Sequence, residues 1–216
     1  LKFKKDIPLD TINKALSTLT IGYEITDVGK DYCIIQSFSA EQEDNIAISV
    51  RKCFFLIKEM QELILEEMKY QKGDNEDKIK TLNENVRKLT NYAIRTTSKT
   101  VHDNNVIQYN ALIFSNLYLY SIKLTYIYQQ LRKEKKIMPN TREIMNSLFS
   151  LFNIFYDTYY KQQLPCAHQF LQHKEQLVKK IDASIDKGNG KILLQVSMAM
   201  RCLHDSIGAV IGLIIR

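Results

Sequence analysis

From residue 46 to the end of the chain, apolar residues recur at alternating steps of three and four. This spacing places one apolar stripe along an α-helix, because the helix completes a turn about every 3.6 residues. Six such stripes are present, over residues 46–64, 79–93, 106–131, 144–159, 170–185 and 193–214. Helices hide such stripes from water by packing against one another. The pattern therefore predicts a mostly α-helical fold.

Turn and capping residues fall between the stripes and not within them. These breaks are Gly73-Asp74-Asn75, His102-Asp103-Asn104-Asn105, Pro139-Asn140-Thr141, Pro165 and Gly188-Asn189-Gly190. Asn140 and Glu143 have the spacing of a capping box at the start of the fourth helix, and Pro165 is placed as a first-turn proline. Because short connections make neighbouring helices antiparallel, we expect two consecutive three-helix bundles, over residues 46–137 and 138–216.

Residues 1–45 follow another pattern, which predicts a small α/β lead-in. After Pro8, the spacing of Ile12, Leu16 and Leu19 indicates a short helix. Two strands are then predicted from alternation, with a turn at residues 27–30 between them. The alternating residues are Ile21, Tyr23 and Ile25 on the first strand, and Tyr32, Ile34, Gln36 and Phe38 on the second. A unit this small is not stable alone, so we expect it to pack on the helices or on a preceding segment.

Composition agrees with long helices in a reducing compartment. The chain has only 7 glycines and 3 prolines, the residues that most often interrupt helices. Its 4 cysteines form no C-x-x-C pair and no short regular spacing, so we interpret them as reduced thiols and do not expect a zinc site. A cytoplasmic location follows from this interpretation.

Charge and hydropathy leave two further questions. The net charge of +6 gives a moderate bias towards nucleic acid or anionic surfaces. The basic run at residues 132–136 lies at a predicted helix end, where cations stabilise the helix C-terminus. Residues 104–122 carry no formal charge, but their asparagines and Gln108 would be costly in hydrocarbon. We expect a buried amphipathic helix there and no membrane span.

Motifs for catalysis or metal binding are missing from the sequence. It contains no E-x-x-H pair, no G-x-S-x-G turn and no glycine-rich phosphate loop. Cys166 with His168, and His204 with Asp205, are the two pairs that could form a site, but a single histidine near a helix surface is usually only a polar residue. We therefore assign no catalytic, cofactor-binding or metal-binding residue and predict that the chain is not an enzyme.

Three features bear on contacts with other surfaces. The tyrosines interleaved with lysines could stack on nucleic-acid bases, although filling the bundle core is the favoured role at these spacings. Gly208 and Gly212 form a G-x-x-x-G pattern, which lets another helix of the bundle or of a dimer approach closely. The apolar end at residues 211–215 also favours a partner contact. A homodimer is consistent with these long apolar faces.

The order of elements resembles that of the archaeal type of the PhoU phosphate uptake regulator family. The most specific parts of the likeness are Gly22-Tyr23-Glu24-Ile25, Asn85-Val86-Arg87-Lys88-Leu89 and Tyr126-Ile127-Tyr128. The likeness covers nearly the whole chain. It implies a regulator of phosphate uptake that works through protein contacts, in which an AbrB-like DNA-binding domain precedes the helices. Because the chain starts with Leu1, we expect such a segment upstream.

The family's metal-binding motif is not matched. Many members hold metal clusters with an acidic E-x-x-x-D motif on the third helix of each bundle. In this chain those positions fall on Tyr118 and Ile122, and on Met200 and His204. The resemblance therefore carries over the fold and the regulatory class without the metal site. Two alternatives stay open, a basic helical bundle that binds nucleic acid itself and a metallo-oxidase bundle with iron or manganese.

Overall fold

A computed structural model of the chain describes residues 1–3, 8–29, 31–37, 43–70 and 75–216. Within these ranges the chain forms seven α-helices, one 3-10 turn and two strands. They are α1 (Leu9–Leu19), β1 (Tyr23–Val28), β2 (Cys33–Ser37), α2 (Glu43–Tyr70), α3 (Glu76–Thr100), α4 (Asn104–Leu131), α5 (Pro139–Lys161), α6 (Leu164–Asp182), the 3-10 turn Ile185–Lys187 and α7 (Gly190–Ile214). The predicted mostly α-helical fold with a small N-terminal α/β element is confirmed. The predicted turn residues Lys30, Gly73 and Asp74, and the strand residue Phe38, lie outside the described residues.

Helices α2, α3 and α4 all contact one another and form the first trio. Their predicted stripes face inward; on α4, for example, Ile113, Leu117 and Leu124 are buried. Asp103 caps α4, because its carboxylate accepts hydrogen bonds from the backbone N–H groups of Asn105 and Val106. The predicted break at residues 102–105 thus begins a helix as a capped turn.

Helices α5, α6 and α7 form the second trio. Asn189, which directly precedes α7, connects the start of α7 to the start of α5. The Asn189 side chain accepts hydrogen bonds from the Met138 backbone N–H at 2.9 Å and from the Thr141 hydroxyl at 3.2 Å. The predicted capping box of Asn140 and Glu143 is wrong, since α5 starts at Pro139 with no side-chain cap of its own. Glu143 instead binds Lys180 of α6. Asn189, which is distant in sequence, therefore supplies the hydrogen-bond acceptor for the polar groups at the start of α5.

One hydrophobic core runs through both trios. The most extensive contact between helices in the described chain joins α4 to α7, and α2 also touches α5. The ring of Tyr120 on α4 stacks on that of Phe152 on α5, with centroids 5.1 Å apart and planes 9° from parallel. Buried residues of all six long helices belong to the same cluster. The division into units at residues 46–137 and 138–216 stays a prediction.

The lead-in packs on α3 through hydrogen bonds from long polar side chains. Arg87, Asn91 and Arg95 donate to the backbone carbonyls of residues 18, 19 and 21 respectively. Those carbonyls end α1 and begin the turn into β1, so α3 supplies donors for backbone groups that a helix end leaves unpaired. The guanidinium of Arg95 also lies 4.4 Å from the Tyr23 ring centroid.

The strand pairing corrects one predicted face. β1 and β2 are antiparallel, and the register shifts between Ile25 and Asp27. Side chains alternate regularly along β2, with the buried Cys33 and the partly buried Ile35 on the inward side, while Ile34 and Gln36, predicted to continue the alternating stripe, are exposed. Ile35 pairs with Ile25 of β1, so the predicted stripe on β2 was displaced by one residue, which moves it to the opposite face of the strand. The alternation was identified correctly, but its face on the second strand was wrong.

Candidate functional site

Helices α4 and α7 lie side by side and antiparallel, as contacts at their ends show. The start of α4 is tied to the end of the chain, because the Arg216 guanidinium pairs with the Asp103 carboxylate. One turn further along, a Cβ atom built on Gly212 would lie 2.7 Å from the Tyr109 ring. Gly212 thus provides the close helix approach predicted for the G-x-x-x-G pattern, whereas a Cβ on Gly208 would meet nothing within 4 Å.

Five large apolar side chains of these two helices are exposed on the outer surface. On α4 they recur every seven residues, which keeps them on one side of the helix, and on α7 two of them are one turn apart. They are Leu112, Leu119, Tyr126, Leu194 and Met198, with exposed fractions between 41% and 55%. We call this set the α4–α7 face.

The two exposed stripes meet across the seam between the helices. Burial raises the pKa of the Cys202 thiol, while Lys123 from α4 lowers it and Asp205 from α7 raises it. Both charged residues therefore lie near Cys202. Lys123 is on the helical side that carries Leu119 and Tyr126, and Asp205 is two turns beyond Met198 on the same side of α7. The α4–α7 face therefore carries large apolar side chains on both helices, with Lys123 and Asp205 among them.

The predicted pair His204 and Asp205 is brought together on this surface. His204 Nδ1 lies 3.5 Å from Asp205 Oδ1, and both side chains are partly exposed. The second neighbour of the Asp205 carboxylate is the Arg201 guanidinium, at 3.8 Å. A cation there stabilises a charged carboxylate but cannot serve as a metal ligand. Among the described residues no group of three His, Cys, Asp or Glu side chains is arranged to hold a metal ion.

The other candidate pair does not form a local site. The His168 ring contacts the Gln172 amide at 2.9 Å on the exposed side of α6. Cys166 is a free, partly buried thiol in the first turn of the same helix.

The four positions that the family's acidic motif would occupy differ in their surroundings. Met200 is buried, and Tyr118, Ile122 and His204 are partly buried. The tyrosines also divide: Tyr120 and Tyr128 are fully buried core residues, while Tyr126 is exposed on the α4–α7 face. At the chain end, Ile215 is exposed and residues 211–214 are partly buried. Sequence reasoning missed the α4–α7 face, although the seven-residue spacing of Leu112, Leu119 and Tyr126 could have indicated it.

Helix α7 also has the length and composition of a membrane span. Among the described residues, Gly190–Ile214 is the one helix that is long and apolar enough to cross a membrane. The uncharged segment considered from the sequence, residues 104–122, lies in α4 and not in this helix. Core helices of soluble proteins share this length and composition. Val196, Leu203 and Val210 are at most 1% exposed, so one side of α7 packs in the core of this structure.

Comparisons with known proteins do not assign the chain to a family. A scan against protein-family models, a search of curated proteins and a search of solved structures each found no match. The functional argument therefore depends on the chain's own residues, and the likeness to the PhoU family rests on the short motifs and the order of elements alone.

Proposed function

We propose that this chain is a PhoU-like regulator of phosphate uptake, which works in the cytoplasm without a catalytic step and acts through protein contacts at the α4–α7 face. The exposed apolar surface described above is the observation that carries the proposal. Large apolar and aromatic side chains at the centre of a surface, with charged groups among them, are typical of protein–protein contacts. The phosphate part of the proposal comes from the sequence resemblance.

The arrangement of the helices supports the same proposal. An α/β lead-in is followed by two trios, and the third helix of each trio pairs with the other in the α4–α7 contact. The exposed stripe is therefore built by equivalent helices of both trios. A partner that binds there contacts both trios at once and is sensitive to any change in how they pack.

The test is complementation in the organism that encodes the chain. A strain lacking the gene receives the wild-type gene, the Leu119→Glu/Met198→Glu variant, or Leu164→Glu as a control, and phosphate uptake is measured in phosphate-rich and phosphate-poor medium. Leu164 is an exposed leucine at the start of α6, outside the α4–α7 face. We expect the control to restore regulation and the double variant to fail while remaining folded.

The two parts of the proposal fail in different ways. Normal phosphate regulation in the strain without the gene would contradict the phosphate role. Full regulation by the folded Leu119→Glu/Met198→Glu variant would contradict the role of the face alone.

A second candidate function is direct nucleic-acid binding by the helices. It is favoured by the exposed Lys133, Lys135 and Lys136 between α4 and α5. Contacts of lysines with phosphates release counterions, so the affinity of such binding falls steeply as salt rises. Fluorescence anisotropy with labelled duplex DNA over a salt series distinguishes the two functions. The regulator proposal expects no binding by this chain alone, since DNA contact would belong to an upstream domain.

A further inference from the structure

The outward side of α2 is divided into a basic half and an acidic half. Arg51, Lys52 and Lys58 lie on its N-terminal half, and Glu59, Glu62 and Glu66 on its C-terminal half. Their spacing keeps them on one side of the helix, between the neighbouring helices α3 and α5. This surface, which we call the α2 face, has opposite charge at its two ends.

Contacts inside the chain leave much of this charge unmatched. Arg51 and Lys58 lie over the rings of Tyr160 and Tyr156, at 5.7 and 4.5 Å from their centroids. Glu59 pairs with Lys78 of α3 at 2.8 Å. Within the described chain, no ion pair involves Lys52, Glu62 or Glu66. Both halves of the α2 face therefore keep charges available to a partner.

Apolar residues lie among these charges. Ile48 and Phe55 are 64% and 60% exposed, and Tyr70 at the far end is 58% exposed. Phe55 borders two grooves: one of about 440 Å³ shared with Ala47 and Arg51, and one of about 640 Å³ whose charged lining is Glu59, Glu62, Glu66, Lys58 and Lys78. The α2 face thus has exposed apolar side chains, such as Phe55, and grooves that could accept them from a second surface.

We propose that the α2 face binds a second copy of this chain, with the two α2 helices antiparallel across a two-fold axis near residues 58 and 59. With the axis between residues 58 and 59, Lys58 lies opposite Glu59 of the second copy, and Glu66 of the second copy lies opposite Arg51 and next to Lys52. Phe55 then faces the larger groove of the second copy. A parallel arrangement would bring like charges together, so the charge pattern selects the antiparallel one. The inference does not depend on the proposed regulatory function.

The small area of the α2 face indicates that the dimer contact is weak. Residues 47–70 of a helix span about 35 Å, and a helix is about 10 Å wide, which is a small area for a permanent dimer. We therefore expect a reversible dimer, which weakens as salt screens the charge pairs. Its formation depends on protein concentration.

A charge swap tests the register directly. Sedimentation velocity of the whole chain at low salt is measured for wild type, Lys52→Glu, Glu66→Lys and the Lys52→Glu/Glu66→Lys double variant. Each single reversal places like charges next to each other across the axis, and we expect it to raise the dissociation constant of the dimer by about tenfold or more. The double variant restores opposite charges across the axis, so it should dimerise nearly as well as wild type.

Lys179→Glu on the exposed side of α6 is the matched control and should leave dimerisation unchanged. A wild-type chain that stays monomeric at every concentration would overturn the proposal. So would a dimer that ignores the single reversals, or a double variant as weak as its parents. A dimer broken by Leu119→Glu/Met198→Glu and not by Lys52→Glu would place the self-contact on the α4–α7 face instead, and would also overturn it.

Discussion

The side-chain amide of Gln61 donates a hydrogen bond to the hydroxyl oxygen of Tyr120 over 3.0 Å. Gln61 lies on α2 and Tyr120 on α4, and the two residues are 5% and 0% exposed. Burial raises the pKa of Tyr120, so the hydroxyl stays neutral. Because the Tyr120 ring also stacks on Phe152, this one side chain links α2, α4 and α5.

Removing only one partner of this hydrogen bond should be costly. Tyr120→Phe leaves the buried Gln61 amide without its acceptor, which we expect to lower the free energy of unfolding by about 1–3 kcal/mol. Gln61→Leu combined with Tyr120→Phe replaces both polar groups and should cost less than the sum of the single changes. Urea denaturation of the four proteins measures this coupling, and strictly additive costs would contradict it.

Two substitutions at Asn189 should distinguish the contribution of its side-chain hydrogen bonds from that of its left-handed backbone conformation. It has a left-handed backbone with φ of 56°, and its side chain binds both the start of α5 and the carbonyl of Lys136. Asn189→Gly removes the side-chain bonds only, at a cost of about 1 kcal/mol. Asn189→Ala also meets the steric cost of a left-handed backbone and should lose about 1 kcal/mol more. Equal melting behaviour of the two variants would contradict this account.

The two glycines of α7 should respond differently to alanine. Gly208→Ala places a methyl group in open space and should raise the free energy of unfolding by up to about 1 kcal/mol through helix propensity. Gly212→Ala forces the Tyr109 ring to move and should gain less, or destabilise the protein. In a Tyr109→Ala background the obstacle is removed, and Gly212→Ala should then become favourable. Thermal denaturation of the set checks the order.

The raised pKa of the Cys53 thiol should make the free energy of unfolding depend on pH. Burial raises the pKa of Cys53 from 9.0 to about 12. In the unfolded chain the thiol loses its proton first, so the free energy of unfolding falls as pH rises from 9 towards 12, and the contribution is intact below pH 9. Cys53→Ser does not titrate there and should fall less steeply, by about 1.4 kcal/mol per pH unit. Parallel curves for the two proteins in urea denaturation would contradict the assignment.

Helix positions were predictable from the sequence because they depend on local periodicity. The stripe that includes Ile113, Leu117 and Leu124 had to be buried wherever α4 was placed, and the structure buries it. The cap at Asp103 was also a local signal. By contrast, the start of α5 is capped by Asn189, a residue about fifty positions away in the chain, and a nearby asparagine and glutamate gave a false capping box.

The strand face and the functional surfaces depend on information that spacing does not contain. The inward side of β2 follows from the pairing of Ile35 with Ile25 of β1, and alternation within one strand does not reveal which residues of the other strand it pairs with. The α4–α7 face requires knowing that these two helices are neighbours and which sides they leave open. The charge division of α2 was present in the sequence, but it becomes a surface only when α3, α4 and α5 cover the other sides of the helix.

The stacking of Tyr120 on Phe152 limits what can be done with half of this protein. This ring contact joins the two trios. Dividing the gene at the connection between α4 and α5 would therefore expose, on each product, the apolar surface that the other trio covers. We expect such halves to precipitate when expressed singly. The shared core thus makes the two trios a single folding unit, whose connections should tolerate changes in length better than separation.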